Sequence, residues 1–223
     1  MRKIYLFAAV IAVLLCAGCN DGGVENGERD AAAYLNVFKE HATGGPFDYF
    51  EVDGRKWMKK NLNVENLTWC YADYPDSCYT YDSWCYDGNP DNCETYGRLY
   101  TQEAASDACE QIGLSLPTDN EWEALVRAAG SAEVAGKNLK ANNGWQENGN
   151  GKDKYGFSAL PGGYRNSDGD FLGAGSKGGW WADYGTVFYM VFNDDYVGSV
   201  VTWADSVGID LRYGYSVRCV KRD

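Results

Sequence analysis

Histidine is almost missing from this chain. Its 223 residues include one, His41, in a stretch that reads as linker. A histidine-based catalytic triad or a multi-histidine metal site therefore has nothing to be built from. Basic charge is scarce as well: 20 Lys and Arg face 32 Asp and Glu, a formal net charge of −12. Nucleic acid needs basic patches to meet its phosphates, so that partner is not expected. The simplest reading of the acidity is a well-solvated surface. Long apolar runs are lacking too. The one at residues 4–15 is too short to cross a bilayer but suits the core of a signal peptide.

Arg2 and Lys3 precede that run, and Cys16-Ala17-Gly18-Cys19 ends it. The tetrapeptide resembles the bacterial lipobox, with Cys16 where leucine is usual. It implies cleavage after residue 18 and acylation of Cys19. Several acyl chains on one residue give stable anchoring. The expectation is a lipoprotein held outside the cytoplasm, at the outer membrane or cell surface, with the membrane as its first partner. Residues 19–46 are rich in Gly, Asn, Asp, Glu and Ala and close with Gly44-Gly45-Pro46, the composition of a tether, with a short helix over 31–39. The folded domain is expected over 47–223, a length for which 45% hydrophobic residues supply a core.

Within it, residues 97–130 are the most legible. Thr118 and Glu121 form the S/T-x-x-E capping box of a helix whose Trp122, Leu125, Val126 and Ala129 share one apolar face. Gly130 supplies its stop. Just upstream, Thr101 caps a second helix that buries Ala105, Ala108, Cys109 and Ile112 and ends at Gly113. Asp53-Gly54, between apolar residues, signals a type I′ hairpin. Residues 131–153 read as a long polar loop around Trp145. Residues 156–166 read as extended, Asp168-Gly169 as a turn, and 178–183, 187–192, 197–203 and 213–220 as strands rich in aromatic and β-branched residues.

Residues 69–93 hold a tandem repeat. Trp69-Cys70-Tyr71, Pro75-Asp76 and Cys78 recur fifteen residues on as Trp84-Cys85-Tyr86, Pro90-Asp91 and Cys93. Seven residues separate the cysteines in each copy, the form of a small loop closed by its own disulfide. With Cys16 removed and Cys19 acylated, six cysteines remain, which allow fifteen connectivities. If Cys70–Cys78 and Cys85–Cys93 pair locally, Cys109 and Cys219 are left to each other. That long closure contributes on the order of 5 kcal/mol by loop entropy.

Five segments in order carry a resemblance: KWMKKNLN (56–63), YGRLYTQEAA (96–105), LPTDNEWEAL (116–125), YGFSALPGGYRN (155–166) and the terminal YSVRCVKRD (215–223). Together they resemble the Fibrobacter succinogenes major paralogous domain, which is similar to the formylglycine-generating-enzyme (sulfatase-modifying-factor) group and, more distantly, to C-type lectin-like domains. The resemblance implies an α+β fold, two short helices on twisted antiparallel strands with long irregular loops. It also implies a disulfide from the first helix to the last strand, in agreement with Cys109–Cys219. Formylglycine-generating enzymes bind copper through two closely spaced C-terminal cysteines. Here Cys219 is the only cysteine after Cys109, so no such activity, catalytic residue or cofactor is expected. Glu121 and Glu123 invite comparison with paired glycosidase carboxylates, but Glu121 is more simply a cap. Asn166, Asp168 and Asp170 begin like a calcium loop, yet Phe171 stands where glycine is required and Lys177 where glutamate is, so no metal is expected.

A non-catalytic binding module fits best. Seventeen tyrosines and eight tryptophans offer faces for sugars. The expected ligand surface is Trp145, Trp181, Tyr184, Asn193, Asp194, Asp195 and Trp203, with a neutral polysaccharide as partner. Strand alternation sends one of Trp180 and Trp181 inward and the other outward, and Trp181 is expected outward because Trp180 directly follows the glycines that let the backbone approach the core. The alternative is a structural or assembly component of the cell envelope with no small ligand.

Overall fold

Asp53 and Gly54 both adopt positive φ, 50° and 69°, as a type I′ turn demands. They join β1 (Tyr49–Val52) to β2 (Arg55–Met58), and β12 (Val220–Lys221) pairs with the other edge of β2. In this computed structural model residues 47–65, 68–71, 74–80, 82–201 and 211–222 are described, the backbone alone for 68–71 and 74–80. The signal segment, Cys19, the tether and Trp203 lie outside the described residues. Among the described residues no helix is long and apolar enough to cross a membrane.

The two copies of the cysteine repeat fold differently. The first forms a hairpin of β3 (Thr68–Tyr71) and β4 (Tyr74–Thr80), whose register sets Cys70 opposite Cys78. Their side chains are outside the described set, so a Cys70–Cys78 bond is not described. The second copy holds β5 (Ser83–Trp84), a single 3-10 turn over Tyr86–Gly88 and a helix, α1 (Pro90–Tyr96). Its Pro90-Asp91, expected as a turn, instead starts that helix: Pro90 fills the first helical position, where no amide donor is needed, and Asn89 caps it by accepting from the Asp91 amide. The Cys85–Cys93 disulfide is present and ties the segment before α1 to its middle.

β6 (Leu99–Tyr100) pairs with β5 and leads into α2 (Gln102–Gln111), capped by Thr101. The capping box of Thr118 and Glu121 opens α3 (Asp119–Ala128). A fourth helix, α4 (Ala132–Leu139), lies where a polar loop was expected. Its buried Ala135, Gly136 and Leu139 follow helical spacing, but only two of those three have side chains an apolar pattern can register. Gly136 is required by contact: a Cβ there would lie 2.6 Å from the Asp195 carbonyl oxygen, which accepts from the Gly136 amide at 2.8 Å.

A five-stranded sheet fills the C-terminal half in the order β11-β10-β9-β7-β8. It comprises β7 (Gly162–Arg165), β8 (Phe171–Ala174), β9 (Lys177–Trp181), β10 (Thr186–Val191) and β11 (Gly198–Val201). All neighbours are antiparallel except β7 and β9, which run parallel. Residues 213–220, expected as one strand, make strand pairs only at the end. Upstream, single bridges join Gly214 to Arg165, Tyr215 to Tyr100 and Ser216 to Trp180, so this segment threads between sheets.

The sheet has a dry core on each face, which overturns the expectation for Trp181. Trp180 packs with Trp57, Trp122, Phe157 and Phe188, beside α3 and α4. Trp181 points the other way, into Tyr100, Val187, Tyr215 and the small residues of α2. Both tryptophans are 0% exposed. Alternation does separate them, as strand geometry requires, but α2 covers the second face. The Cys109–Cys219 disulfide locks that helix to the C-terminal segment, and the Trp181 Nε1–H donates to the Tyr100 carbonyl at 2.6 Å. Replacing Trp181 with Ala should therefore cost about 3–5 kcal/mol in urea unfolding; an unchanged midpoint would contradict this packing.

Candidate functional site

Among the described residues three concavities bear on a site, and two of them are claimed by structural charges. In the first, of about 470 Å³, Arg55, Glu121 and Arg222 meet. Glu121 Oε1 accepts from Arg55 Nε at 2.8 Å and Arg222 Nε at 2.9 Å; Oε2 accepts from Arg222 Nη2 at 2.7 Å and the Thr118 amide at 2.9 Å. Burial alone would raise this carboxyl, but the bonds from Arg222, Thr118 and Arg55 outweigh it and hold it at about 2. A group so firmly ionised cannot serve as a general acid.

That depressed value links folding to pH. The ionised form is favoured by folding, so the contribution is complete above the ordinary value of 4.5 and fades as pH falls toward 2. Urea midpoints measured from pH 5.5 to 2.5 should fall more steeply for the natural chain than for Glu121→Gln. Parallel curves would refute the linkage.

The second hollow, of about 440 Å³, has Arg218 at its wall beside Lys59, Lys60, Asn61 and Ser158. Arg218 is 1% exposed and its donors are largely occupied by backbone carbonyls.

The third is a shallow groove of about 240 Å³ on the five-stranded sheet. Lys177 and Gly179 of β9 and Val187, Tyr189 and Val191 of β10 alternate onto its floor, with Tyr164 of β7 and Tyr215 at one side. Two glycines make it flat. A Cβ on Gly179 would come within 2.6 Å of the Tyr215 ring, and one on Gly198 within 2.3 Å of the Tyr189 ring. The tyrosines thus lie down across glycine instead of standing clear. Tyr164, Tyr213 and Tyr215 have nearly parallel rings: centroids are 6.1, 5.6 and 6.2 Å apart and planes 14°, 17° and 11° apart for the pairs 164–213, 164–215 and 213–215. Trp181 supports Tyr215 edge-on from below at 5.1 Å. The threaded segment fixes the stack, because the Tyr215 amide and carbonyl both bond Tyr100 while Gly214 bonds Arg165 in both directions. Burial pushes the Tyr215 hydroxyl well above the usual tyrosine range, with Tyr164 and Tyr213 adding to the shift, so its ring stays neutral.

The residues expected to bind ligand are elsewhere. Trp145 is buried, and its Nε1–H donates to the Ala159 carbonyl at 2.8 Å. Asp194 and Asp195 do gather near it, but around Lys140. The buried Lys140 Nζ donates to the Val191 and Asp194 carbonyls at 3.0 and 2.7 Å, lies 3.9 Å from Asp195 Oδ1, and sits 5.2 Å from the Trp145 ring centroid. Burial lowers its ammonium below the ordinary value, and Asp195 and Asp194 act against that loss. These three expected ligand residues form a structural clamp. Asn193 is exposed in the turn after β10. Tyr184 is 86% exposed with φ 55°, in the turn before β10 and so at the opposite end of that strand. Asn166 and Asp170 bond one another across the turn at Gly169. Among the described residues no cluster of His, Cys, Asp or Glu could hold a metal.

The groove tyrosines had a signal in the sequence: Tyr213 and Tyr215, two apart in an extended segment, must share a face. What no pattern gives is that Tyr164, from a hairpin fifty residues earlier, completes the stack.

A mixed sheet between two helical layers, with a flat tyrosine groove on one part of its face, defines an α+β domain. Over residues 51–221 the chain matches the Fibrobacter succinogenes major domain, and it belongs to that family. No curated protein and no solved structure matches it.

Proposed function

We propose that this protein is an exported, lipid-anchored binding module that holds carbohydrate on the Tyr164–Tyr189–Tyr215 groove and performs no catalysis. The observation that carries the reading is the groove itself. The partly exposed Tyr164 and Tyr189 and the largely buried Tyr215, set over glycine, offer apolar ring surface with hydroxyl edges, the chemistry that suits the alternating C–H faces and hydroxyl rims of sugars. Its volume is below the roughly 300–1,000 Å³ of sites that enclose a drug-sized ligand. It is suited to gripping one ring of a longer chain. The lectin-like architecture belongs to the same proposal, supported by the disulfide from α2 to the C-terminal segment. So does the anchor, supported by the basic start, the apolar run of residues 4–15 and Cys19. That Cys219 is bonded to Cys109 argues against cysteine-based oxidation chemistry.

Affinity electrophoresis and pull-down on insoluble polysaccharides test the reading. The natural domain should be retained by at least one glycan. Tyr164→Ala and Tyr189→Ala should each weaken retention about 5–10-fold, equivalent to about 1–1.4 kcal/mol, with thermal midpoints close to the natural value because both rings are partly exposed. Absence of retention across a broad panel, or variants that bind as well as the parent, would favour a structural role in the envelope.

A further inference from the structure

Among the described residues that line the groove, Lys177 of β9 is the one charged side chain, and none is a carboxylate. The chain as a whole has twelve more acidic than basic residues. The lysine is also placed. Its stem runs along Gly173 of β8, where an added Cβ would lie 3.3–3.4 Å from Lys177 Cβ, Cγ and Cδ. Its Nζ reaches 5.9 Å from the centroid of Tyr164. Lys177 makes no ion pair among the described residues, and its side chain is exposed. An ammonium beside an aromatic platform, with no carboxylate paired to it among the described residues, can take a ligand's carboxylate as its counter-charge.

We infer that the groove selects sugars bearing a carboxylate, uronic acids, with Lys177 as the residue that reads the charge. The inference rests on the carbohydrate reading above and narrows it. A sugar stacked on Tyr164 directs its ring substituents outward near the ring plane, so a C6 carboxylate can reach an ammonium at the platform's margin. The overall negative charge does not forbid such a ligand: at physiological salt the Debye length is about 8 Å, so distant carboxylates are screened while a contact pair is not.

The probes are two hexasaccharides that differ only at C6, β-1,4-linked glucose and β-1,4-linked glucuronic acid, titrated calorimetrically into the natural domain and into Lys177→Gln. The glucuronic acid hexamer should bind about 2–5-fold more tightly at 50 mM salt, the range of a single exposed ion pair. That preference should fall close to one at 500 mM salt. Lys177→Gln should abolish it, bringing the ratio of the two affinities close to one. If both hexamers bind alike, or Lys177→Gln leaves the preference intact, the charge-reading inference fails while the carbohydrate reading stands. If the natural domain binds neither hexamer and no polysaccharide retains it, both fail.

Discussion

A guanidinium with water on no side must find its solvation in protein, and Arg218 finds it almost entirely in dipoles. Its Nη1 donates to the carbonyls of Met58 and Phe157 at 2.9 and 2.7 Å, its Nη2 to that of Ser158 at 3.3 Å, and its Nε to the Asn61 side chain at 2.5 Å. The Phe157 ring lies 4.4 Å from its centre. No carboxylate pairs with it among the described residues. Burial draws it down to about 9, with Asp153 opposing the shift, so it stays a cation at neutral pH. An uncompensated buried charge costs several kcal/mol. The segments that supply these acceptors are therefore held in one arrangement or the cost is incurred.

Those segments are among the ones that carry the family resemblance in the sequence. Asn61 comes from KWMKKNLN, Phe157 and Ser158 from YGFSALPGGYRN, and Arg218 from YSVRC. Asn61 Oδ1 also accepts from Trp180 Nε1 at 2.9 Å, and its Nδ2 donates to the Tyr96 carbonyl. One amide thus couples the buried cation to the central strand of the large sheet and to the end of α1. With β9 fixed from that face and Trp181 packed from the other, the strand is rigid where its glycines open the tyrosine groove. The groove inherits its flatness from the core packed beneath it.

Sequence reasoning reached the features that local chemistry decides. The capping box, the Asp53-Gly54 turn, the faces of α2 and α3 and the Cys85–Cys93 and Cys109–Cys219 bonds each depend on a few neighbouring residues or on simple pairing. It failed where a tertiary partner decides. α4 was hidden because its buried Gly136 is apolar by contact and not by side chain. Pro90-Asp91 can begin a helix as well as a turn, and Asn89 settles which. Trp181 is buried because α2 covers a second face, which no alternation pattern reports. Trp145, Asp194 and Asp195 do come together, around the buried Lys140, with Asp194 contributing its backbone carbonyl.

The claim that most depends on measurement is that Arg218 and Asn61 act as one unit. Urea unfolding of Arg218→Lys, Asn61→Ala and the double variant tests it directly. Lysine keeps the charge but loses the fork that reaches Asn61. The account predicts that the double variant is less destabilised than the sum of the singles, by about 0.5–3 kcal/mol. Costs that simply add would mean that the two side chains stabilise the fold independently, and the shared cage would not be its organising constraint.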